Sequence, residues 1–166
     1  MPKLQIKTYG DSVLRKKAKI IKSFDDKLGS TVDEMFDLMY KSNGVGLAAP
    51  QVGVSRRLIV LDTTEPGEKL ALANPKIVWR NDEFSTMVEG CLSIPGIEGD
   101  VPRATKVKVK ANDPRTGEDM TIEACDYLAR VLQHEIDHLE GALFVDHLRE
   151  SDRATLNRAL EELAVA

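Results

Sequence analysis

The chain has 166 residues, enough for one domain with a proper core and no cross-links to hold it together. Hydrophobic residues make up 42% and charged residues 30%, ordinary proportions for a soluble globular protein, and the net charge is −4. Lys and Arg are scattered along the chain, so neither a nucleic-acid surface nor a basic membrane helix is expected. No apolar run approaches the ~20 residues of a membrane span. The start, "MPKLQIKTYG", lacks a signal-peptide core. A cytoplasmic protein is expected, or an organellar one if a transit peptide has been removed.

In chain order, residues 25–42 place Leu28, Val32, Met35, Phe36, Met39 and Tyr40 at helical spacing, and Asn43 and Gly44 supply a stop. "GVGLAAPQ" (44–51) follows, which alone reads as a Gly-rich helix exit. "RRLIVLD" (56–62) and "ALANPKIVWR" (71–80) read as strands parted by the turn-forming "EPGE". "TKVKVKA" (105–111) alternates strictly, the mark of a strand with one wet face, and "NDPRTGED" turns the chain toward "MTIEA". Residues 126–141 read as a helix with Asp126 as N-cap and Gly141 as stop. A weaker helix spans 151–164, with Leu156, Leu160 and Leu163 inward. Short turns can join many of these strands. The expected fold class is therefore α+β, with mainly antiparallel sheets packed around the 126–141 helix.

That helix carries the chemistry. Advancing ~100° per residue gathers Leu128, Leu132, Ile136 and Leu139 on one stripe, and Ala129, Gln133, Asp137 and Glu140 on a more polar side. His134 and His138 share a third sector with Tyr127 and Val131, and Glu135 lies at its edge. Side chains at i and i+4 stand ~5–6 Å apart at Cβ, so both imidazoles can reach one ion. Glu135 sits about a quarter turn away, beside the open side of such an ion, where a carboxylate can take a proton from a water. Two histidines on a helix face can also be simple hydrogen-bonding residues, and two ligands do not make a catalytic site; a third is needed, with one position left open.

The extended pattern of some metalloproteases would put a histidine six residues after His138, where this chain has Phe144. Glu161 and Glu162 sit in the charged last helix and read as a solvated face; His147 reads as a surface residue. Upstream, "EGCLS" (89–93) offers Cys91, which follows a glycine in a segment bounded by Pro95 and Gly96 and can be presented from a turn or strand edge. A thiolate is a strong ligand for zinc or ferrous iron. Cys125, the other cysteine, reads as an ordinary reduced thiol.

In this order and at these separations, "GVGLAAPQ", "EGCLS" and "QHEIDHLEG" (133–141) resemble the signature motifs of the peptide deformylase family. "SIPG" and "GALFVDHL" are similar to the family as well, and the resemblance runs over nearly the whole chain as a single domain, 1–166. It implies an enzyme that removes the N-formyl group from formyl-methionyl peptides and nascent chains, releasing formate. Carried over by position, it implies Cys91, His134 and His138 as metal ligands, Glu135 as catalytic carboxylate, and Gln51 and Leu92 as oxyanion donors. It implies one divalent ion, Fe2+, for which Zn2+, Ni2+ or Co2+ can substitute. It also suggests that substrate backbone pairs with Val45, Gly46 and Gly90 as an added strand. Met87, Tyr127 and Val131 are the candidates for lining the methionine pocket. A monomer with no nucleic-acid or membrane partner is expected. The alternatives are a His-Glu-x-x-His metallopeptidase cutting internal bonds and a structural metal domain closed by four protein ligands.

Overall fold

The computed structural model describes residues 3–166. Three α-helices, α1 (Asp26–Lys41), α2 (Asp126–Leu139) and α3 (Glu150–Ala164), combine with seven strands. A five-stranded sheet has the order β1 (Gly46–Ala48), β2 (Leu58–Asp62), β3 (Lys69–Arg80), β6 (Lys106–Asn112), β7 (Asp119–Cys125). β4 (Phe84–Cys91) and β5 (Ile94–Ala104) form a separate two-stranded ribbon. Every strand pair is antiparallel. The α+β class with antiparallel sheets around the histidine helix is the one the sequence predicts.

β2 is buried on both faces, and its alternation distributes the core. Leu58 and Val60 pack toward α1 with Leu28, Val32, Met35 and Met39. Ile59 and Leu61 pack on the opposite side with Leu132, Ile136 and Leu139 of α2. The sheet thus separates α1 from α2, as two-layer packing requires when a strand has no polar side. α1 starts where the Asp25 carboxylate accepts from the Leu28 N–H at 2.9 Å, an ordinary N-cap. A third cluster, Ile94, Ile97 and Val101 of β5 with Phe144, Val145 and Leu160, fixes α3 and the turn before it against the ribbon. Leu156 and Leu163 pack on the same cluster.

Two details of α2 differ from expectation. The cap is Cys125, not Asp126, because β7 runs into the helix without a loop: Cys125 still pairs with Lys106, and the Asp126 N–H donates to the Thr105 carbonyl at 2.8 Å. Asp126 instead takes a left-handed conformation at φ 53°, one that Asp tolerates better than most residues. The polar side is also buried. Ala129 and Gln133 are enclosed, and the Gln133 amide accepts from the Ala104 N–H and donates to the Ala104 carbonyl, standing in for a strand partner. Past the helix, Gly141 adopts φ 77° and ends it, as its place in the sequence suggests.

Leu132 is fully enclosed at the middle of this packing. Leu132→Ala is expected to cost about 2–5 kcal/mol of stability, read as a lower urea midpoint at unchanged slope. A midpoint equal to the wild type would show that α2 is not clamped by this cluster.

Candidate metal centre and catalytic cleft

Cys91 ends β4, and the histidines stand one turn apart on α2, so the ribbon and the helix each bring part of the site. Cys91 Sγ lies 3.4 Å from His138 Nε2, and Cys91, His134 and His138 each offer a ligand atom within 4.8 Å of the others. Ligands of one tetrahedral ion, at about 2.0 Å for nitrogen and about 2.3 Å for sulfur, stand roughly 3.3–3.7 Å apart. The trio can therefore close on a single ion with small side-chain adjustments. Its donor set, one thiolate and two imidazoles, suits zinc or ferrous iron. His138 Nδ1 and Glu135 Oε1 are buried with no protein hydrogen-bond partner, which marks this corner as built for something other than packing.

Glu89, two residues before Cys91, organises the far side of His134. Oε1 accepts from His134 Nδ1 at 2.8 Å and from Arg103 at 2.9 Å; Oε2 accepts from Arg103 at 2.9 Å and from Arg130 at 2.6 Å. With Nδ1 committed to the carboxylate, Nε2 of His134 is left as the ligand nitrogen. Burial opposes the charge on Glu89, but the hydrogen bonds and charges of Arg103 and His134 hold it well below the usual carboxylate range. Arg130 also donates to the carbonyls of Val101 and Ser85, and Arg103 to Asp137 at 2.6 Å. His147, exposed as expected, reaches Asp137 at 2.9 Å. Glu89, Arg103 and Arg130 are the residues that sequence reasoning missed. One signal was available: Arg130 stands four residues before His134, on the same helical face, where an arginine has no reason to be buried without a nearby acid.

The two histidines are driven apart. Burial disfavours a charge on His134, yet Cys91, Glu135 and Glu89 hold its pKa well above the ordinary value; burial and the neighbouring His134 push His138 well below. Burial raises the Glu135 carboxyl to about 7, with His134 pulling the other way. A carboxyl poised near neutrality is suited to taking and returning a proton.

The glycine motif explains how the carboxylate fits. A Cβ on Gly46 would stand 2.6 Å from Glu135 Oε2, and one on Gly44 would stand 2.7 Å from Leu92 Cδ1. Both glycines are therefore close-approach positions, and Gly44 also serves the exit of α1, its N–H donating to the Met39 carbonyl at 2.9 Å. In the same motif, the Ala48 N–H donates to Gln51 Oε1 at 2.9 Å, which fixes the amide's orientation. Its Nε2 then donates to Cys91 Sγ at 3.3 Å and to Ser93 Oγ at 3.1 Å.

A cleft of about 530 Å3 runs over this site, lined by Val45, Gly46, Gln51, Gly90, Cys91, Leu92, Tyr127, Val131, His134 and Glu135 among others. Every sequence-derived candidate except His138 and Met87 lines it. His138 lies directly behind, 1% exposed, within reach of Cys91. Met87 is 45% exposed and is not among the residues lining the cleft, whereas its neighbour Val88 is. β1 and β4 are both terminal strands of their sheets, and residues of both line the cleft.

A metal-ligand trio with a buried carboxylate beside it, opening into a cleft between strand edges, defines a metal-dependent hydrolase. A sequence profile of the polypeptide deformylase family matches residues 3–154. A peptide deformylase of Brachyspira hyodysenteriae is 47% identical over 93% of this chain and 86% of its own length. One of Desulfitobacterium hafniense is 51% identical over 90% and 97%. Among solved structures, Arabidopsis thaliana peptide deformylase 1B superposes with a TM-score of 0.91 at 45% identity, covering 96% of this chain and 90% of that one. Plasmodium falciparum peptide deformylase superposes at 0.90 with 38% identity, covering 98% and 100%. The chain belongs to the polypeptide deformylase family.

Glu89→Gln removes the charge that orients His134. Affinity of the trio for a divalent ion, measured by competition with a chelator, is expected to fall about 10–100-fold. Unchanged affinity would show that Glu89 supports the ribbon and not the ligand.

Proposed function

We propose that the chain works as a single-domain enzyme, binding one divalent ion through Cys91, His134 and His138 and removing the formyl group from N-formylmethionyl peptides, with release of formate. The observation that carries this reading is the convergence of the Cys91 sulfur on two helix imidazoles beside an enclosed Glu135 carboxylate. The bound ion supplies a Lewis acid and makes a water acidic enough to act as nucleophile near neutral pH. Among the possible ions we assign ferrous iron, with zinc, nickel or cobalt able to take its place, since a mixed thiolate and imidazole set accepts all of them.

The chain's own residues do the rest. Glu135 takes the proton of the attacking water and delivers it to the departing amine, because an amide nitrogen leaves poorly as an anion. Charge that grows on the formyl oxygen is met by the Gln51 amide and the Leu92 backbone N–H; one such donor is typically worth about 3–4 kcal/mol in the transition state. Substrate backbone adds as a strand between the free edges at Val45–Gly46 and Gly90, which gives affinity without reading most side chains. The apolar wall of Val45, Val88, Tyr127 and Val131 receives the methionine side chain. Nascent chains in the cytoplasm are the substrates, taken by the monomer.

Glu135→Ala is expected to retain the metal, by elemental analysis, while deformylation of formyl-Met-Ala-Ser falls by at least about 10²-fold. A variant turning over near the wild-type rate would remove Glu135 from the mechanism. Loaded with iron, the enzyme is expected to lose activity in air faster than when loaded with nickel. Equal half-lives would count against ferrous iron as the resident ion.

A further inference from the structure

The five-stranded sheet has a second face away from α2, and α1 packs on its β1–β2 end and on Ala71 and Ala73 at the start of β3. The rest of β3, with β6 and β7, carries exposed side chains on that side. A shallow groove of about 720 Å3 lies there, lined among others by Val78, Trp79, Lys106, Lys108, Lys110 and Glu123. Strand alternation makes the lysines a comb. Val107, Val109 and Ala111 point to the core while Lys106, Lys108 and Lys110 point outward, and Lys76 stands opposite Lys110 on β3. Trp79, 52% exposed, is paired with Lys108, and Val78 is exposed beside it. Among the described residues Glu123 is the one acid lining the groove, 3.6 Å from Lys108. The chain's net charge is −4, yet this stretch of sheet carries four lysines against the one acid lining the groove.

We propose that this face binds a single-stranded polynucleotide, with phosphates on the lysines and an unpaired base against Trp79. Alternate residues of a strand repeat every ~6.6 Å. A stacked strand advances about 3.4 Å per nucleotide. The comb therefore meets every second phosphate of a stacked strand, or successive phosphates of one pulled open. A cationic track with an exposed aromatic platform is the general solution for single strands, where every base offers a face for stacking. A paired base has no face free for Trp79, which disfavours a duplex. An anionic bilayer would need an apolar surface to insert, and the exposed large apolar side chains of this concave groove are only Val78 and Trp79.

Trp79 is the sole tryptophan of the chain, so its emission reports directly on the groove. The full chain is titrated with labelled 12-nucleotide RNA and DNA strands, following anisotropy and Trp79 emission. Saturable binding with quenching is expected, weakening about 15–60-fold between 50 and 200 mM salt for three or four phosphate contacts. Lys106→Gln with Lys110→Gln is expected to lower the slope of log K against log salt by about 1.4. Trp79→Ala is expected to weaken binding about tenfold, and Glu123→Gln to tighten it. Turnover of a short formyl peptide and the melting temperature of these variants should match the wild type, since none touches the cleft. Preference for RNA or equal affinity for both strands supports the shared chemistry, and preference identifies the source. Absence of saturable binding at 50 mM salt, an unchanged slope in the double lysine variant, or equal quenching by polyglutamate or anionic vesicles overturns it.

Discussion

The Glu89 carboxylate ties the β4–β5 ribbon, which carries Cys91, to the helix that carries the histidines. It lies on β4, Arg103 on β5, and Arg130 and His134 on α2, so its four hydrogen bonds hold the ribbon and the helix in one register. Cys91 is two residues from Glu89 on the same strand, and its distance from the histidines follows from that register. Two guanidiniums face two carboxylates, Glu89 and Asp137, so the charges of these four groups balance although they are largely out of water. Such a set adds little to stability as a whole, because desolvation cancels much of the attraction. Loss of a single member is what costs, about 3–5 kcal/mol, by leaving a buried charge unmatched. What the network contributes is geometry: the helix cannot rotate or slide without breaking bonds to two arginines.

A helix locked this way can be polar and buried at once. Ordinary amphipathic helices turn one stripe inward and leave the opposite face in water. α2 instead encloses Gln133, Glu135 and His138 as well as its leucines, because the sheet lies on one side and the ribbon on the other. The glycines of residues 44–46 permit the last approach, letting Gly46 of β1 close on Glu135 and the Leu92 side chain close on Gly44. The edges of β1 and β4 stay unpaired for the same reason. Closing them on each other would cover the cleft, and an edge left open is normally a liability that natural proteins mask. On the function proposed here, the substrate backbone is what masks it.

Much of this was legible from periodicity. The expected helices 25–42, 126–141 and 151–164 differ from those found by a residue or two at their ends, and the strands at 56–62, 71–80 and 105–111 lie where alternation or β-branched runs put them. β1, β4 and β5 were not legible as strands. Gly46–Ala48 is too short to show a period, and β5 reads "IPGIEGDVPRA", where two prolines and two glycines imitate a loop. It is a strand because β4 pairs with it over most of its length, a long-range fact that no local window contains. At the site, the spacing of His134 and His138 and the three motifs located the trio and Glu135. The arginine network stayed hidden because a lone Arg among apolar residues looks like a surface residue until its acid is found. Net charge hid the lysine comb as well, since an average over the chain erases any segregation between faces.

The places where local rules fail are themselves informative. Nearly all buried polar groups in a folded protein find partners, yet His138 Nδ1 and Glu135 Oε1 do not, and both belong to α2 residues at the Cys91 site. The residues around them are otherwise satisfied with care: Gln51 is pinned at its oxygen by Ala48, and His134 is pinned at Nδ1 by Glu89. The third such atom among the described residues, Arg153 Nε, belongs to α3, whereas these two share α2. Here they coincide with the only enclosed carboxyl among the described residues whose pKa burial carries up toward neutrality. Leaving these two unmatched accepts a folding cost at the site, which fits a cavity shaped for a charge that the chain alone does not carry.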